Sequence, residues 1–256
     1  MEVVILCGGQ GMRLREETEF KPKPMVAIGA HPILWHIMNH YRTFSVRDFV
    51  LCLGYKGEII RDYFLNFLHH NSDIQINLAD GTVSVLRSSL LDWRVTLADT
   101  GAVTMTGARI RRAAEYVTGE RFFATYGDGV SDVDLDALLA FHLKTGKKAT
   151  VTAVRPSSRF GELSVNGHLA RSFAEKPQTE AGWINGGFFV FEKQTVAAFS
   201  SDPSLSLESG VLDTLARENE LAVFQHRGFW QCMDTYREMQ LLNELWASGA
   251  APWKTW

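Results

Sequence analysis

The sequence predicts an α/β protein built on an open, doubly wound and mostly parallel sheet, with a small additional β region and a C-terminal helix. Three observations carry this. The apolar run at residues 3–6 (VVIL) and the stretch 48–53 (DFVLCL), apolar from Phe49 on, read as strands buried on both faces. Stretches with helical spacing of apolar residues lie between such runs through the first part of the chain. The first run stops at once in Gly8-Gly9-Gln10-Gly11, a turn that follows a buried strand.

The elements can be justified in order. Residues 32–41 (PILWHIMNHY) have helical spacing, and Pro32 suits a first turn, where its missing N–H is not needed. Residues 58–68 (EIIRDYFLNFL) repeat that spacing. Residues 74–79 and 82–86 flank Asp80-Gly81, a type I′ signal, and predict a hairpin. A helix is expected over 109–117 and a central strand over 121–125 (RFFAT), running into YGDG. A helix over 134–144 and a strand over 149–154 (ATVTAV) continue the alternation. The later chain is more mixed, with short strands near 163–165, 188–191 and 222–225. A last helix over 235–246 opens with Thr235 and Glu238, spaced as a capping box. No repeat or low-complexity linker interrupts the chain, and 200–209 reads as a loop, so residues 1–256 are expected to form a single domain.

Composition narrows the function classes. With 46% hydrophobic residues the chain can bury a sizeable core, which excludes global disorder. A net charge of -3 gives no general attraction to nucleic acid polymers or membranes, so any anion site must be built locally. The three cysteines, Cys7, Cys52 and Cys232, match no zinc spacing and read as free thiols in a reducing compartment. Glu2 and the early glycines break any apolar leader, and no apolar run approaches the roughly 20 residues of a membrane span. A cytoplasmic protein is expected.

Five stretches point to chemistry. Gly8, Gly9 and Gly11 allow close backbone approach to phosphate oxygens, and Arg13 can add a charge-assisted bond. A dinucleotide fingerprint fails at Leu14, where a third glycine is needed, and no Walker A loop is present. In Lys21-Pro22-Lys23-Pro24 the prolines stiffen the segment that carries two ammonium groups. In Tyr126-Gly127-Asp128-Gly129 a carboxylate stands at the carboxyl end of a strand, suited to a metal with phosphate oxygens. Asp132 and Asp134 read as turn and cap residues. Glu175-Lys176-Pro177 and Asn185-Gly186-Gly187 offer a cation and a hydroxyl-binding amide, or simply surface turns. Asp234 is either a second metal carboxylate or a helix-start residue.

Taken together and in order, GGxGxRL, KPKPM, YGDG, EKP, INGG and FWxxMDT resemble the sugar-phosphate nucleotidyltransferase family over nearly the whole chain. The stretches KPKPMVAIGAHPILWHIM, LGYKGEIIRDYF, VTLADTGAVTMTGARIRR and the tail APWKTW are similar to members that use CTP and glucose 1-phosphate. The resemblance implies a Rossmann-like nucleotidyltransferase fold. It implies transfer of a cytidylyl group from CTP to α-D-glucose 1-phosphate with release of pyrophosphate, assisted by Mg²⁺, in a homo-oligomer of up to six copies. The product would feed bacterial surface polysaccharide such as the O-antigen of lipopolysaccharide.

Carried over by position, the resemblance makes Arg13 and Lys23 the catalytic cations. Leu6, Gly8, Gly9, Gly11, Met12, Thr106, Arg109 and Asp128 join them around the nucleotide, with Arg109 implicated across a subunit boundary. Tyr126, Gly127, Glu175, Lys176, Asn185 and Gly186 would contact the sugar phosphate, and Asp128 and Asp234 would hold Mg²⁺. Three positions depart from the family pattern: Met12 replaces a threonine, Cys7 an alanine and Ala108 a glycine. The alternative within enzymes is the same transfer with another nucleotide or another phosphorylated acceptor. A non-catalytic binding protein would be expected to lack Lys23, Asp128 or Asp234, all of which are present.

Overall fold

The computed structural model describes residues 1–9, 11, 14–88, 91–156, 162–166, 169–174 and 182–256. The chain begins with β1 (Glu2–Leu6), the short α1 (Arg15–Thr18), a small β2 (Ala27–Ile28) and β3 (His31–Pro32) pair, and α2 (Ile33–Thr43). Next come β4 (Asp48–Leu53), α3 (Gly57–Leu65), α4 (Phe67–His70), β5 (Ser72–Ile76), β6 (Val83–Ser88) and β7 (Arg94–Asp99). Then follow α5 (Thr106–Ala113), β8 (Arg121–Tyr126), β9 (Gly129–Ser131), α6 (Leu135–Thr145) and β10 (Ala149–Val154). The remainder holds β11 (Glu162–Asn166), β12 (Leu169–Ala174), β13 (Ile184–Glu192), α7 (Lys193–Ala197), a π-helix (Leu207–Leu212), α8 (Asp213–Arg217), β14 (Leu221–Gln225), β15 (Trp230–Cys232) and α9 (Tyr236–Ala247).

A 7-stranded sheet in the order β14-β10-β13-β8-β1-β4-β7 forms the centre. The strands pair in parallel except β13, which runs antiparallel to both β8 and β10. Successive side chains of β1 serve two cores. Val3 and Ile5 pack with Phe49, Leu51 and Phe123 under α2, while Val4 and Leu6 pack with Val50, Cys52 and Phe122 under α5. This double burial is why the strand reads as an unbroken apolar run. Among the described residues, no helix is long and apolar enough to cross a membrane.

Several local differences from the sequence expectation have physical causes. Residues 58–68 divide at Asn66, which leaves helical geometry and donates its side-chain amide to the Asp62 carbonyl. The hairpin turns through four residues instead of the two-residue type I′ turn: Asn77 bonds Thr82, and Gly81 closes the loop onto the Asn77 carbonyl. The Asp80 carboxylate accepts from the Thr82 amide, an Asx-type bond that competes with the tight turn. Helix α5 starts at Thr106, earlier than expected, because its first turn packs on the 203–207 stretch; a Cβ at Gly107 would stand 3.0 Å from the Leu205 carbonyl oxygen. Edge strand β7 escaped the pattern reading, since only Ala98 along it is buried. The expected loop at 200–209 ends at Ser206, which caps the π-helix by accepting from the Ser209 amide.

The C-terminal segment is locked onto α2 through His36. Its ring is fully buried, 4.6 Å from Trp246 and 5.2 Å from Trp35 between centroids. One ring nitrogen bonds the Ile28 carbonyl at 2.9 Å, and the other accepts from the Trp253 indole at 3.4 Å. That pairing requires a neutral imidazole donating through Nε2. Burial pushes its pKa down from 6.5 to about 4. The unfolded chain therefore binds a proton that the folded chain refuses, and stability falls as pH drops from 6.5 towards 4. The effect is of order 3 kcal/mol. Urea unfolding at pH 7 and pH 4.5 should show this loss in the wild type and a smaller one in His36→Gln.

Candidate active site

The carboxyl ends of β1 and β8 and the 102–106 stretch after β7 open into a cavity of about 600 Å³, bounded by Gly8, Gly9, Lys23, Asp128 and Asp234. Its floor is tied together by Arg109, which projects from α5 and is 4% exposed. The guanidinium donates to Leu53 O (3.0 Å) and Thr100 Oγ1 (2.7 Å) through Nη1, and to Gly8 O (3.2 Å) and Ala102 O (3.4 Å) through Nη2. One buried cation thus gathers the ends of β1, β4 and β7. Arg109 lines the cavity, and each of these bonds is to its own chain. A side chain at Gly8 would meet the Arg109 guanidinium and displace it from its bonds.

Lys23 rises from a 3-10 turn, Lys23–Met25, set up by Pro22 in an extended conformation. Its ammonium is held between two carboxylates, at 2.7 Å from Asp128 Oδ2 and in direct contact with Asp234 Oδ1. Burial alone would push the Lys23 pKa down, but Asp128 and then Asp234 outweigh it and hold it above the usual lysine value. The two carboxylates come from distant parts of the chain. Strand β9 pairs antiparallel with β15, with Cys232 opposite Gly129, and the Met233 amide bonds the Asp128 carbonyl at 2.8 Å. Asp234 is then fixed by the capping box of α9, where the Asp234 and Thr235 amides both donate to Glu238 Oε2 at 2.8 Å. Gly127 lets β8 close against this group, since a Cβ there would stand 2.9 Å from Leu6 O and 3.0 Å from Pro24.

This donor set suits a divalent cation. Two carboxylates aimed at one cationic point match the usual Mg²⁺ arrangement, with phosphate oxygens and waters completing the shell. Among the described residues, no cluster of three or more His, Cys, Asp and Glu side chains offers a rival metal site.

The remaining expected residues divide. Leu6, Gly8, Gly9, Gly11, Lys23, Thr106, Arg109, Tyr126, Gly127, Asp128 and Asp234 all border the cavity. Asn185 reaches it through Tyr126, donating its amide to the phenol oxygen at 3.1 Å, while Gly186 is buried behind and accepts from the Trp230 indole at 2.7 Å. Met12, Arg13, Glu175 and Lys176 lie outside the described residues. Lys21 points elsewhere and pairs with Glu17 at 2.8 Å. Asp134 caps α6, as its reading as a cap residue expected, whereas Asp132 makes no turn and pairs with His226 at 2.9 Å. Sequence reasoning missed the wall at 102–105, which follows the unrecognised β7, and it missed Glu208, whose carboxylate accepts from Tyr126 at 2.6 Å and Thr106 at 2.8 Å.

A family model described as nucleotidyl transferase matches residues 2–235. The chain is 49% identical to glucose-1-phosphate cytidylyltransferase of Salmonella typhimurium, over 100% of both chains. It is 41% identical to a probable glucose-1-phosphate cytidylyltransferase of Bacillus subtilis, again over 100% of both. Among solved structures, HddC from Yersinia pseudotuberculosis complexed with GMP-PN superposes with a TM-score of 0.70 at 22% identity, covering 96% of this chain and 99% of that one. The inositol-1-phosphate CTP transferase from T. maritima gives 0.63 at 17% identity, with 95% of each chain covered. These two likenesses show the shared fold.

The floor makes a direct test possible. Gly8→Ala drives a methyl group into the Arg109 guanidinium and should cost about 1–3 kcal/mol. The thermal midpoint should then fall by roughly 2–4 °C per kcal/mol. An unchanged midpoint would show that Arg109 is free to move aside.

Proposed function

The chain belongs to the nucleotidyl transferase family, and on that premise we propose that it transfers the cytidylyl group of CTP to α-D-glucose 1-phosphate, forming CDP-glucose and pyrophosphate. The observation that carries this reading is the Lys23 ammonium between Asp128 and Asp234, at the mouth of a glycine-lined cavity that ends the parallel strands. The choice of substrates is supported by the full-length identity to the Salmonella and Bacillus enzymes.

In the proposed reaction a phosphate oxygen of the sugar phosphate attacks the α-phosphorus of CTP in line. A new P–O bond forms as the bond from the α-phosphorus to the oxygen bridging the β-phosphate breaks, and the electron pair leaves with pyrophosphate. The nucleophile is already ionised at neutral pH, so no general base is needed. The obstacle is repulsion between two polyanions, and the protein's task is to neutralise and align them. Backbone amides of the Gly8–Gly9 turn hold the triphosphate, and Lys23 brings its charge to the point where the substrates meet. Arg13 and Lys176 are assigned as further cations on the triphosphate and the sugar phosphate, and Glu175 as a sugar contact. Asp128 and Asp234 would hold Mg²⁺, which when bound supplies charge neutralisation to phosphate oxygens. The free thiols Cys7, Cys52 and Cys232 suit a reducing cytoplasm, and we assign the protein there as a homo-oligomer.

Pyrophosphate release is the test, measured with Mg²⁺ across CTP, UTP, dTTP, ATP and GTP against glucose 1-phosphate and other sugar phosphates. The expected outcome is release confined to CTP with glucose 1-phosphate. Release with another nucleotide or acceptor would keep the mechanism and move the substrate assignment; no release in any combination would overturn the reading. In the same assay Lys23→Gln should lower kcat on the order of 10²-fold or more, with the circular dichroism spectrum retained. Unchanged turnover would remove Lys23 from the mechanism.

A further inference from the structure

Glu208 stands on the first turn of the π-helix, bonded to the cavity-lining Thr106 and Tyr126, and lies outside every motif that pointed to the site. π-helical turns recur at functional sites because the widened turn re-aims side chains. Its carboxylate accepts three hydroxyl protons: Tyr126 at 2.6 Å on Oε1, and Thr106 at 2.8 Å and Ser206 at 2.9 Å on Oε2. Its surroundings take it partly out of water, which would raise its pKa, but the Tyr126 hydroxyl and its other donors outweigh that and hold it below the usual glutamate value.

The directions of these bonds follow from chemistry. An ionised carboxylate only accepts, so Thr106 and Tyr126 must both turn their protons towards Glu208. The Thr106 oxygen also accepts from the Leu207 amide at 2.9 Å. Tyr126, its proton committed, accepts from the Asn185 side-chain amide at 3.1 Å. The Asn185 carbonyl oxygen takes the Gly187 amide at 2.8 Å, so that amide is pinned at both ends. Thr106 begins α5 beside the 102–105 wall, and Asn185 lies on β13, joined to the cavity wall through Tyr126. One carboxylate therefore links α5 to β8 and, through Tyr126, to β13.

We infer that Glu208 is a positioning residue that fixes the hydrogen-bond polarity of Thr106 on the nucleotide side and, through Tyr126, of Asn185 on the sugar side. Thr106 then presents an acceptor to whatever it meets, and Asn185 presents a defined amide orientation to sugar hydroxyls. The inference rests on the proposed cytidylyl transfer.

Steady-state kinetics of Glu208→Ala, alone and combined with Tyr126→Phe, provide the test. Glu208→Ala should raise KM for CTP and for glucose 1-phosphate about tenfold each, the change expected on losing a charge-assisted hydrogen bond. In the Tyr126→Phe background it should raise KM for CTP alone, because the relay to Asn185 is already cut. Glu208→Gln, which keeps the side chain's size, turns one acceptor into a donor and should raise at least one of the two KM values. A purely structural Glu208 would lower the thermal midpoint and leave both KM values unmoved, overturning the inference. Equal effects on the sugar phosphate in both backgrounds would also overturn it, by making Glu208 a direct ligand. The wild type separates the failures: an inactive wild type overturns the proposed reaction and this inference with it, whereas an active wild type matched by the Glu208 variants overturns the inference alone.

Discussion

Everything at the cavity mouth depends on one ammonium group between two carboxylates. Asp128 and Asp234 face the same point, and two like charges that close repel each other unless a cation lies between them. Lys23 supplies that cation, and its charge is kept by the same two groups against the pull of burial. Three pieces of structure exist to bring these atoms together: the proline-set turn under Lys23, the β9–β15 pair, and the capping box that opens α9. The first two are held by backbone bonds, and the third by the reciprocal side chain–backbone bonds of Thr235 and Glu238, so the main chain that carries each group is fixed near the meeting point.

The cavity floor follows a related logic with carbonyl oxygens in place of carboxylates. Arg109 is a buried cation whose bonds go to neutral oxygens at three strand ends. Such an arrangement fixes the strand ends relative to one another and leaves positive charge beneath the Gly8–Gly9 turn, where an anionic ligand is favoured. Gly8 and Arg109 are therefore one feature: the glycine makes room for the guanidinium that holds it in place. The rim adds a third layer, in which the Glu208 carboxylate orders hydroxyl and amide groups contributed by α5, β8 and β13.

Much of this was legible in the chain. The buried strands were readable because residues facing two cores leave an unbroken apolar signature, as in β1 and β4. The α9 cap was readable because Thr235 and Glu238 are neighbours whose mutual bonding is local. Gly8, Gly9 and Asp128 were pointed to by glycines and a carboxylate placed directly after apolar runs, whereas Lys23 and Asp234 were assigned only through the resemblance of several short stretches taken in order. Strand β7 was not, since a half-exposed edge strand lacks that continuous apolar run. The four-residue hairpin loop was not, since the Asx bond of Asp80 competes with the tight turn that Asp80-Gly81 suggests.

The sequence by itself determined the features that near neighbours write: the strands buried on both faces, the capping box of α9, and the glycine turn and carboxylate that follow apolar runs. These rest on interactions between near neighbours in the chain. The tertiary structure alone decided which side chains act together. It joined Lys23 to Asp128 and Asp234, sent Lys21 away to Glu17, placed Arg109 under the floor and brought Glu208 to Tyr126 and Thr106. Those pairings depend on sheet order and strand register, which bring residues far apart in sequence to one point. A pattern of near neighbours does not encode such distances.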